Sequence, residues 1–436
     1  MQKTGTLIGG NMKLIIRNGR VLDPAVGRDA VGDVWIDGNQ IVQPGSFAEN
    51  EADRVVDASG KWVAPGLIDL HVHFRDPGLE YKETIETGSR AASRGGFTTV
   101  CPMPNTKPVI DNADMVTLEL AKAKAAGLAH VLPIGAVTAG QKGETLADIR
   151  GMVKAGAVAI SEDGKSVMNA DLYRDAMRIA AEEKIPVFAH CEDINLVHGG
   201  CMNAGPKADS LGLPGISNAV EDVITARDIL LAKETGVQLH LCHCSTKDSV
   251  ELVKMGKKMG VKLTAEVCPH HFSLCDEDIP GPDTNYKMNP PLRSREDMTA
   301  LREALRDGVM EVISTDHAPH HADEKAKSMK EAPFGITGLE TAVPLTITNL
   351  VKTGYLTPLQ MIGCMSTNPA RVLSIPKGTL EPGHAADVVV IDADTEYHID
   401  KNTFASKGKN TPFDKAAVCG RAVMTILDGT IVYEEE

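Results

Sequence analysis

Strand-like and helical segments alternate between residues 67 and 351, and this alternation constrains the fold more than any other feature. The strand-like runs lie at 67–71, 98–101, 130–135, 157–160, 186–190, 238–243, 262–267 and 311–314. The helical stretches lie at 84–93, 115–125, 147–154, 172–183, 219–233, 249–258, 296–306 and 339–351. These repeats predict an α/β fold, a (β/α)8 TIM-like barrel, although a doubly wound open sheet gives the same alternation. No Gly-x-Gly-x-x-Gly sequence follows the first strand, which argues against a dinucleotide-binding open sheet.

Both ends of the chain carry β-branched runs, several of which close on Asn-Gly or Asp-Gly turns. They lie at 13–19, 32–38 and 54–57, and again at 386–392, 422–427 and 431–433. Because neither end has enough strands to bury a sheet face, we predict one small β-sandwich domain formed from both termini. The expected limits are 1–65 and 373–436 for its two parts, with a loose tail at 1–11, and 66–372 for the barrel.

Charge and cysteine content exclude several classes of protein. The 436 residues include 45 Lys and Arg against 59 Asp and Glu, a formal net charge of −14, so nucleic acid is not an expected partner. No apolar run approaches the roughly 18 residues that span a bilayer, and residues 1–11 do not resemble a signal peptide. The nine cysteines form no Cys-x-x-Cys pair, which favours a reducing compartment. We therefore predict a cytoplasmic enzyme without a membrane partner.

Candidate metal ligands stand at the ends of five predicted strands. His71 and His73 are two residues apart, so both side chains lie on one face of the first strand. The others are Asp163, His190, His243 and Asp316. The C-terminal strand ends of a barrel form one active face, so these side chains are expected to converge there. Histidine and carboxylate ligands suit Zn²⁺, and the set exceeds the needs of one tetrahedral ion, which predicts two ions bridged by a carboxylate.

Cysteines adjoin two of these histidines, and a soft Cys-His-Cys zinc site is the alternative. The cysteines are Cys191, Cys242 and Cys244. Adjacent residues of a strand point to opposite faces, so we interpret all three as small core residues.

Other polar residues near the strand ends are candidates for binding a substrate. Arg75 could hold a substrate carboxylate through two hydrogen bonds, or it could pair with Asp76. Asn105 and Asn289 could contact polar substrate edges, although asparagines in Pro-rich turns also hold their own backbone. His320 follows Asp316 by one loop, where a substrate anion would lie.

Seven motifs in this order resemble those of the dihydroorotases, more narrowly the longer-chain bacterial type within the amidohydrolase superfamily. They are DLHVHFRDPG at 69–78, MPNT at 103–106, SEDG at 161–164, AHCE at 189–192, MNPP at 288–291, STDHAPH at 314–320 and PFG at 333–335. The resemblance extends from about residue 13 to 433, and the ordered set is far more specific than any single motif.

The resemblance implies a role for each candidate residue. His71, His73 and Asp316 would hold one zinc ion, and His190 and His243 the second. Asp163 would bridge them, in place of the carboxylated lysine of many relatives; Glu162 and Lys165 are less suitable by their spacing. Asp316 would also act as the general base. The residues implied to bind the dihydroorotate are His73, Arg75, Asn105 and His320, together with Asn289 and the backbone of Phe334 and Gly335.

The implied reaction is the reversible hydrolysis of the cyclic amide of (S)-dihydroorotate to N-carbamoyl-L-aspartate, a step of pyrimidine (UMP) biosynthesis. The alternatives are a hydantoinase or allantoinase, whose substrates lack the ring carboxylate, and a non-catalytic scaffold relative. A homodimer is expected from base rates. Aspartate carbamoyltransferase is a further candidate partner because some relatives form such a complex.

Overall fold

The computed structural model describes residues 12–435, so the predicted tail at 1–11 lies outside the described residues. The strands are β1 (Lys13–Asp23), β2 (Arg28–Asp37), β3 (Gln40–Val42), β4 (Arg54–Asp57), β5 (Trp62–Pro65), β6 (Leu67–Val72), β7 (Phe97–Pro102), β8 (His130–Val131), β9 (Ile134–Ala136), β10 (Ala159–Ser161), β11 (Val187–Ala189), β12 (Met202–Asn203), β13 (Gly215–Ile216), β14 (Leu239–Leu241), β15 (Leu263–Val267), β16 (Val312–Ile313), β17 (Val388–His398), β18 (Ala417–Leu427) and β19 (Thr430–Glu434). None of the helices in the described part of the chain is long and apolar enough to cross a membrane.

The strands from the two ends of the chain form one sheet. Its order is β19-β18-β17-β5-β1-β2-β3, with β4 also paired to β1. The two halves are joined where β5 and β17 run antiparallel, with Val63 opposite Val390. Ile36 of β2 and Ile426 of β18, from opposite parts of this order, belong to one buried cluster, so the sheet folds over on itself. The predicted β-sandwich built from both termini is confirmed.

The central strands form the predicted barrel. Parallel pairing links β6, β7 and β8, and it also links β9, β10, β11, β14, β15 and β16. A parallel bridge between Val72 and His317 closes the ring between the first and last strands. The third predicted strand is split into β8 and β9 at Pro133, which has no N–H to donate to a neighbouring strand. Its carbonyl still accepts a hydrogen bond from Val158 N at 3.0 Å.

Each of the predicted helical stretches contains a helix that packs outside the barrel. The helices are α1 (Ile85–Arg94), α2 (Ala113–Ala126), α3 (Ile149–Ala155), α4 (Ala170–Glu183), α5 (Pro206–Leu211), α6 (Ala219–Thr235), α7 (Lys247–Lys258), α8 (Pro269–Ser273), α9 (Arg295–Arg306), α10 (Ala322–Lys325), α11 (Ala342–Thr346), α12 (Pro358–Ile362) and α13 (Asn368–Leu373). Helix α1 shows why these segments are helical. Thr84 caps its N-terminus by accepting a hydrogen bond from Thr87 N, and Ile85, Ala91 and Ala92 form its buried face.

Three long connections lie at the end of the barrel where the strands finish. The connection at 191–217 contains the β12–β13 pair and α5, and the connection at 268–293 contains α8. Both are rich in Pro and Gly. The third joins β17 to β18, and it contacts the barrel loops: Asn410 Nδ2 donates to Ala318 O at 3.1 Å. The C-terminal part of the sandwich domain therefore contacts the end of the barrel that carries the candidate site.

Candidate active site

The predicted metal ligands come together at the C-terminal ends of the barrel strands, around the carboxylate of Asp163. Asp163 Oδ1 lies 3.2 Å from His71 Nε2 and 3.2 Å from His190 Nδ1. Its Oδ2 lies 3.4 Å from His73 Nε2, and His243 Nε2 is 3.5 Å from Oδ1. All five side chains are buried. Two groups of candidate ligands, His71 with His73 and His190 with His243, therefore share one carboxylate.

Hydrogen-bond acceptors on the outer side of these histidines favour the tautomers whose inward nitrogens carry a lone pair. His71 Nδ1 donates to Glu266 Oε1 at 2.8 Å, His73 Nδ1 to Asn105 Oδ1 at 2.9 Å, and His190 Nε2 to Glu192 Oε2 at 3.1 Å. An imidazole that donates from one nitrogen presents a lone pair at the other, which is the form that binds a metal.

The inward atoms fit a divalent metal centre. His71 Nε2 and Asp163 Oδ1 are buried without a hydrogen-bond partner. His190 Nδ1 and His243 Nε2 face each other at 2.8 Å, close enough to share a proton or to bind one metal ion. A tetrahedral zinc ion separates its ligand atoms by about 3.4 Å, given Zn–N distances of about 2.0–2.1 Å. The 3.2–3.5 Å separations around Asp163 match that spacing.

Asp316, after β16, lies on the His71–His73 side of the cluster. Its Oδ1 is 3.1 Å from His73 Nε2 and 3.7 Å from His71 Nε2. The backbone at Asp316 is left-handed, with φ +48°, as it is at Arg75 (+60°) and His243 (+32°). Left-handed backbone is strained for residues other than glycine and is concentrated at functional sites.

Electrostatics keep this cluster anionic at its centre. Burial alone would raise the pKa of the Asp163 carboxyl, but the surrounding histidines, His71 foremost, hold it well below its usual range. Burial likewise opposes ionisation of Asp316, but the neighbouring His73 and His71 lower its pKa. Burial opposes charge on His190, yet the neighbouring carboxylates of Asp163 and Glu192 raise its pKa to about 10. Positive charge is therefore favoured among these residues.

A carboxylate that the sequence analysis missed supports both ligand groups. Glu266 in β15 accepts from His71 Nδ1 through Oε1, and the same oxygen accepts from His243 N at 3.1 Å. Its Oε2 accepts from His240 Nε2 at 2.9 Å. Burial opposes ionisation of Glu266, but these donors lower its pKa below the usual range. The signal available in the sequence was a single carboxylate, Glu266, within a strand-like run that is otherwise mostly apolar.

The two predicted substrate amides contact residues around the metal ligands. Asn105 accepts from His73, and Asn289 Nδ2 donates to Glu192 Oε1 at 3.1 Å. His271, which has no predicted role, holds the neighbouring turn by donating from Nε2 to Pro290 O at 3.0 Å.

Two of the alternative ligands, Glu162 and Lys165, are engaged elsewhere. Glu162 accepts from Thr138 N at 3.0 Å, and Lys165 Nζ donates to Gln141 O at 3.1 Å. Cys242 does approach His71 and Glu266, with ligand atoms within 4.8 Å of one another. Burial raises the pKa of the Cys242 thiol and keeps it neutral.

Arg75 and His320 lie side by side, with Arg75 Nη2 3.3 Å from His320 Nε2. Arg75 is buried, and it forms no ion pair with any carboxylate in residues 12–435, because Asp76 pairs with Lys122 instead. His320 Nε2 donates to Phe334 O at 2.8 Å, and Lys82 Nζ donates to His320 Nδ1 at 3.3 Å. Burial and the charges of Arg75 and Lys82 hold the pKa of His320 far below its usual value, so the ring is neutral. A buried guanidinium without a counter-ion is a binding site for an anion.

A (β/α)8 barrel with a shared histidine and carboxylate cluster at its C-terminal strand ends defines a metal-dependent cyclic amidohydrolase. A family model described as dihydro-orotase-like matches residues 60–249, and one for the amidohydrolase family matches residues 280–433. The chain belongs to the dihydroorotase family of the amidohydrolases.

Relatives and solved structures cover nearly the whole chain. A dihydroorotase of Pelotomaculum thermopropionicum is 52% identical over 427 residues, which is 97% of this chain and 99% of that protein. A dihydroorotase of Bacillus pumilus is 47% identical over 424 residues, with 97% and 99% covered. Among solved structures, the L-hydantoinase of Arthrobacter aurescens superposes with a TM-score of 0.86 at 28% identity, covering 97% of this chain and 96% of its own. The D-hydantoinase of a Thermus species has a TM-score of 0.82 at 27% identity, with 97% and 95% covered.

Proposed function

We propose that this enzyme catalyses the reversible hydrolysis of (S)-dihydroorotate to N-carbamoyl-L-aspartate in de novo pyrimidine (UMP) biosynthesis. The observation that carries the proposal is the buried Arg75 guanidinium, which lacks a carboxylate partner within residues 12–435 and lies beside His320. Dihydroorotate carries a ring carboxylate that can supply the missing charge. A hydantoin or allantoin ring would leave Arg75 buried without a counter-ion, which is costly.

The metal centre is proposed to hold two zinc ions. His71, His73 and Asp316 would hold one, His190 and His243 the other, and Asp163 would contact both. Such ions would supply Lewis-acid polarisation of the amide carbonyl and would lower the pKa of a water molecule. The protein supplies the lone pairs through the hydrogen bonds that Glu266, Asn105 and Glu192 accept on the outer side of the imidazoles.

Asp316 is proposed as the general base and acid. Its lowered pKa keeps the carboxylate ionised at neutral pH, so it can accept a proton from the attacking water. The same carboxyl then delivers the proton to the departing amide nitrogen, which completes ring opening. In the reverse direction, Asp316 takes the proton from the carbamoyl nitrogen as the ring closes.

The substrate is proposed to lie between the metal cluster and the Arg75–His320 pair. Arg75 and His320 would bind the carboxylate, with Asn105 and His73 at its inner edge. Asn289 and the backbone of Phe334 and Gly335 would contact the ring. These groups come from four connections, those that follow β6, β7, β15 and β16, which is how a barrel assembles one pocket from distant segments.

We also propose a cytoplasmic homodimer, with aspartate carbamoyltransferase as a candidate partner. The free thiols of all nine cysteines support a reducing compartment. Light scattering on the purified protein, alone and with aspartate carbamoyltransferase, distinguishes a monomer, a dimer and a mixed complex.

The function is tested by assaying purified enzyme in both directions, with elemental analysis on the same sample. We expect close to two zinc equivalents per chain and turnover of dihydroorotate and of N-carbamoyl-aspartate. Comparable turnover of an uncharged hydantoin would contradict the substrate assignment. A sample without metal and without turnover in zinc-supplemented buffer would instead support the scaffold alternative.

A further inference from the structure

Asn410, in the connection between β17 and β18, joins two barrel loops through one side-chain amide. Its Oδ1 accepts from His320 N at 3.0 Å, and its Nδ2 donates to Ala318 O at 3.1 Å and to Gly335 O at 3.0 Å. The side chain is buried, at 4% exposed, so these three backbone groups have no water to replace it. The amide therefore joins the loop that carries His320 to the loop that carries Phe334 and Gly335, in addition to the direct hydrogen bond from Ala318 N to Ile336 O at 2.8 Å.

Close packing leaves these loops no other spacing. Gly335 has φ +126°, and a Cβ there would lie 2.6 Å from Ala318 Cβ and 3.2 Å from His320 Nε2. On the other side, a Cβ at Gly408 would lie 2.6 Å from Pro319 Cβ and 2.8 Å from Asn410 Oδ1. Glycine at both positions allows three backbone segments to meet at Asn410.

The β17–β18 connection makes a second set of hydrogen bonds near the site. The backbone N–H of Lys407 donates to Glu83 Oε1 at 3.2 Å, and the Ser406 hydroxyl donates to Glu83 Oε2. Glu83 Oε2 also lies 3.4 Å from His317 Nε2. Segment 406–410 therefore contacts the loops that follow the first and the last barrel strands. These contacts hold the backbone at Asn410 in place.

We propose that Asn410 is a positioning residue for the substrate pocket, supplied to the barrel by the C-terminal half of the sandwich. It holds His320 at the distance from the Phe334–Gly335 backbone at which His320 and Arg75 face the same anion. This inference rests on the proposed function, since it concerns the residues assigned to the substrate. Asn410 acts through His320 and the Gly335 backbone rather than by touching the substrate.

Asn410→Ala tests this role because it leaves His320 N and Ala318 O buried and unpaired, and leaves Gly335 O with only its hydrogen bond from Lys325 Nζ at 3.0 Å, which lets the loops separate. We expect KM for dihydroorotate to rise about tenfold or more, since small misplacements of binding groups are costly. We expect kcat to change less than threefold and the metal content to stay at the wild-type value. A purely structural role would lower the melting temperature and the active fraction but leave KM unchanged.

Asn402→Ala is the matched control, because Asn402 lies in the same connection but is exposed and bonds only within its own turn, to Asp400. Its KM should equal that of wild type. Gly408→Ala is a second route to the same effect, since the added methyl displaces Pro319 and the Asn410 amide. We expect it also to raise KM.

The outcomes separate this inference from the proposed function. If wild type turns over dihydroorotate and Asn410→Ala has a KM within twofold of it, the inference alone is wrong. An equal rise in KM in Asn402→Ala would also overturn it. If wild type shows no turnover of dihydroorotate, the proposed function fails, and this inference fails with it. If Asn410→Ala does not fold, the Gly408→Ala KM decides between the same outcomes.

Discussion

Glu266 Oε1 accepts a hydrogen bond from His71 Nδ1 at 2.8 Å, at the buried end of β15. The same carboxylate oxygen accepts from the backbone N–H of His243, a residue of the other ligand group. One side chain without access to the substrate therefore orients ligands of both proposed metal positions. The first prediction follows from this contact.

Glu266→Gln should weaken metal binding, because the uncharged amide no longer favours the His71 tautomer that presents Nε2 inward. Loss of such an outer partner typically costs about 10–100-fold in metal affinity. Competition with a chelator of known affinity measures the change. Glu340→Gln serves as control, because Glu340 is a partly buried carboxylate that accepts hydrogen bonds from Ala405 N and Ser406 N, outside the cluster. Equal metal affinity in both variants would contradict the role of Glu266.

His190→Ala should remove one of the two metal equivalents and leave the other. His190 contacts Asp163 and His243, whereas Asp316 lies near His71 and His73, so the His71 group keeps its own ligands. Elemental analysis after gel filtration gives the count. A metal content equal to that of wild type would refute the assignment of His190 as a ligand.

Arg75→Ala should raise KM for dihydroorotate about 10–100-fold, because a charge-assisted hydrogen bond contributes about 1.5–3 kcal/mol. The metal content should not change, since Arg75 belongs to the substrate side of the pocket. Steady-state kinetics and elemental analysis on one preparation check both statements. Arg75→Lys keeps the charge but loses the paired donors, so we expect an intermediate KM. If KM for the alanine variant matches wild type, the carboxylate lies elsewhere.

His130 links the barrel to the sandwich and should make stability depend on alkaline pH. His130 Nε2, at the start of β8, lies 3.3 Å from Asp428 Oδ2 and 3.6 Å from Asp387 Oδ2. Burial opposes the charged ring, but these carboxylates raise the pKa of His130 to about 9.

Because the folded-state pKa lies above the unfolded value of about 6.5, the stabilisation is complete below that pH and is lost as pH rises through 9. His130→Gln should therefore lose about 1–3 kcal/mol at pH 6 and become equal to wild type near pH 10. Melting temperatures across this range measure the convergence. Exposed His398 provides the control variant, His398→Gln, which should show no such pH-dependent difference. A pH-independent gap between His130→Gln and wild type would show that His130 contributes by packing.

Local periodicity was sufficient to predict the barrel and the ends of its strands. His71 and His73 were found because two residues of one strand share a face, and Asp316 because it directly follows a strand. These inferences need only short-range geometry. The split of the third strand at Pro133 could also have been predicted from the missing N–H.

The other contacts of the site depend on which segments, distant in the sequence, lie next to each other in the fold. An ion pair with Asp76 was the alternative role of Arg75, but Asp76 pairs with Lys122 of α2, and sequence spacing does not reveal that choice. Asn105 was expected to contact substrate. Its hydrogen bond with His73 could be predicted only from the register of β6 and β7, the strands that precede these residues. Asn410 lies far along the chain from His320, so no periodic pattern connects them.

The pairing of β5 with β17 has a consequence for how the chain is made. Pro65 lies opposite Val388, and the entire barrel is translated between these two residues. Because ribosomes add about 5–20 residues per second, many seconds pass between the synthesis of β5 and the synthesis of β17. Completion of the sandwich is thus a late, post-translational event, and until then β5 exposes an unpaired edge that could pair with another nascent chain. Chaperone protection of the N-terminal half-sheet during translation would serve this step.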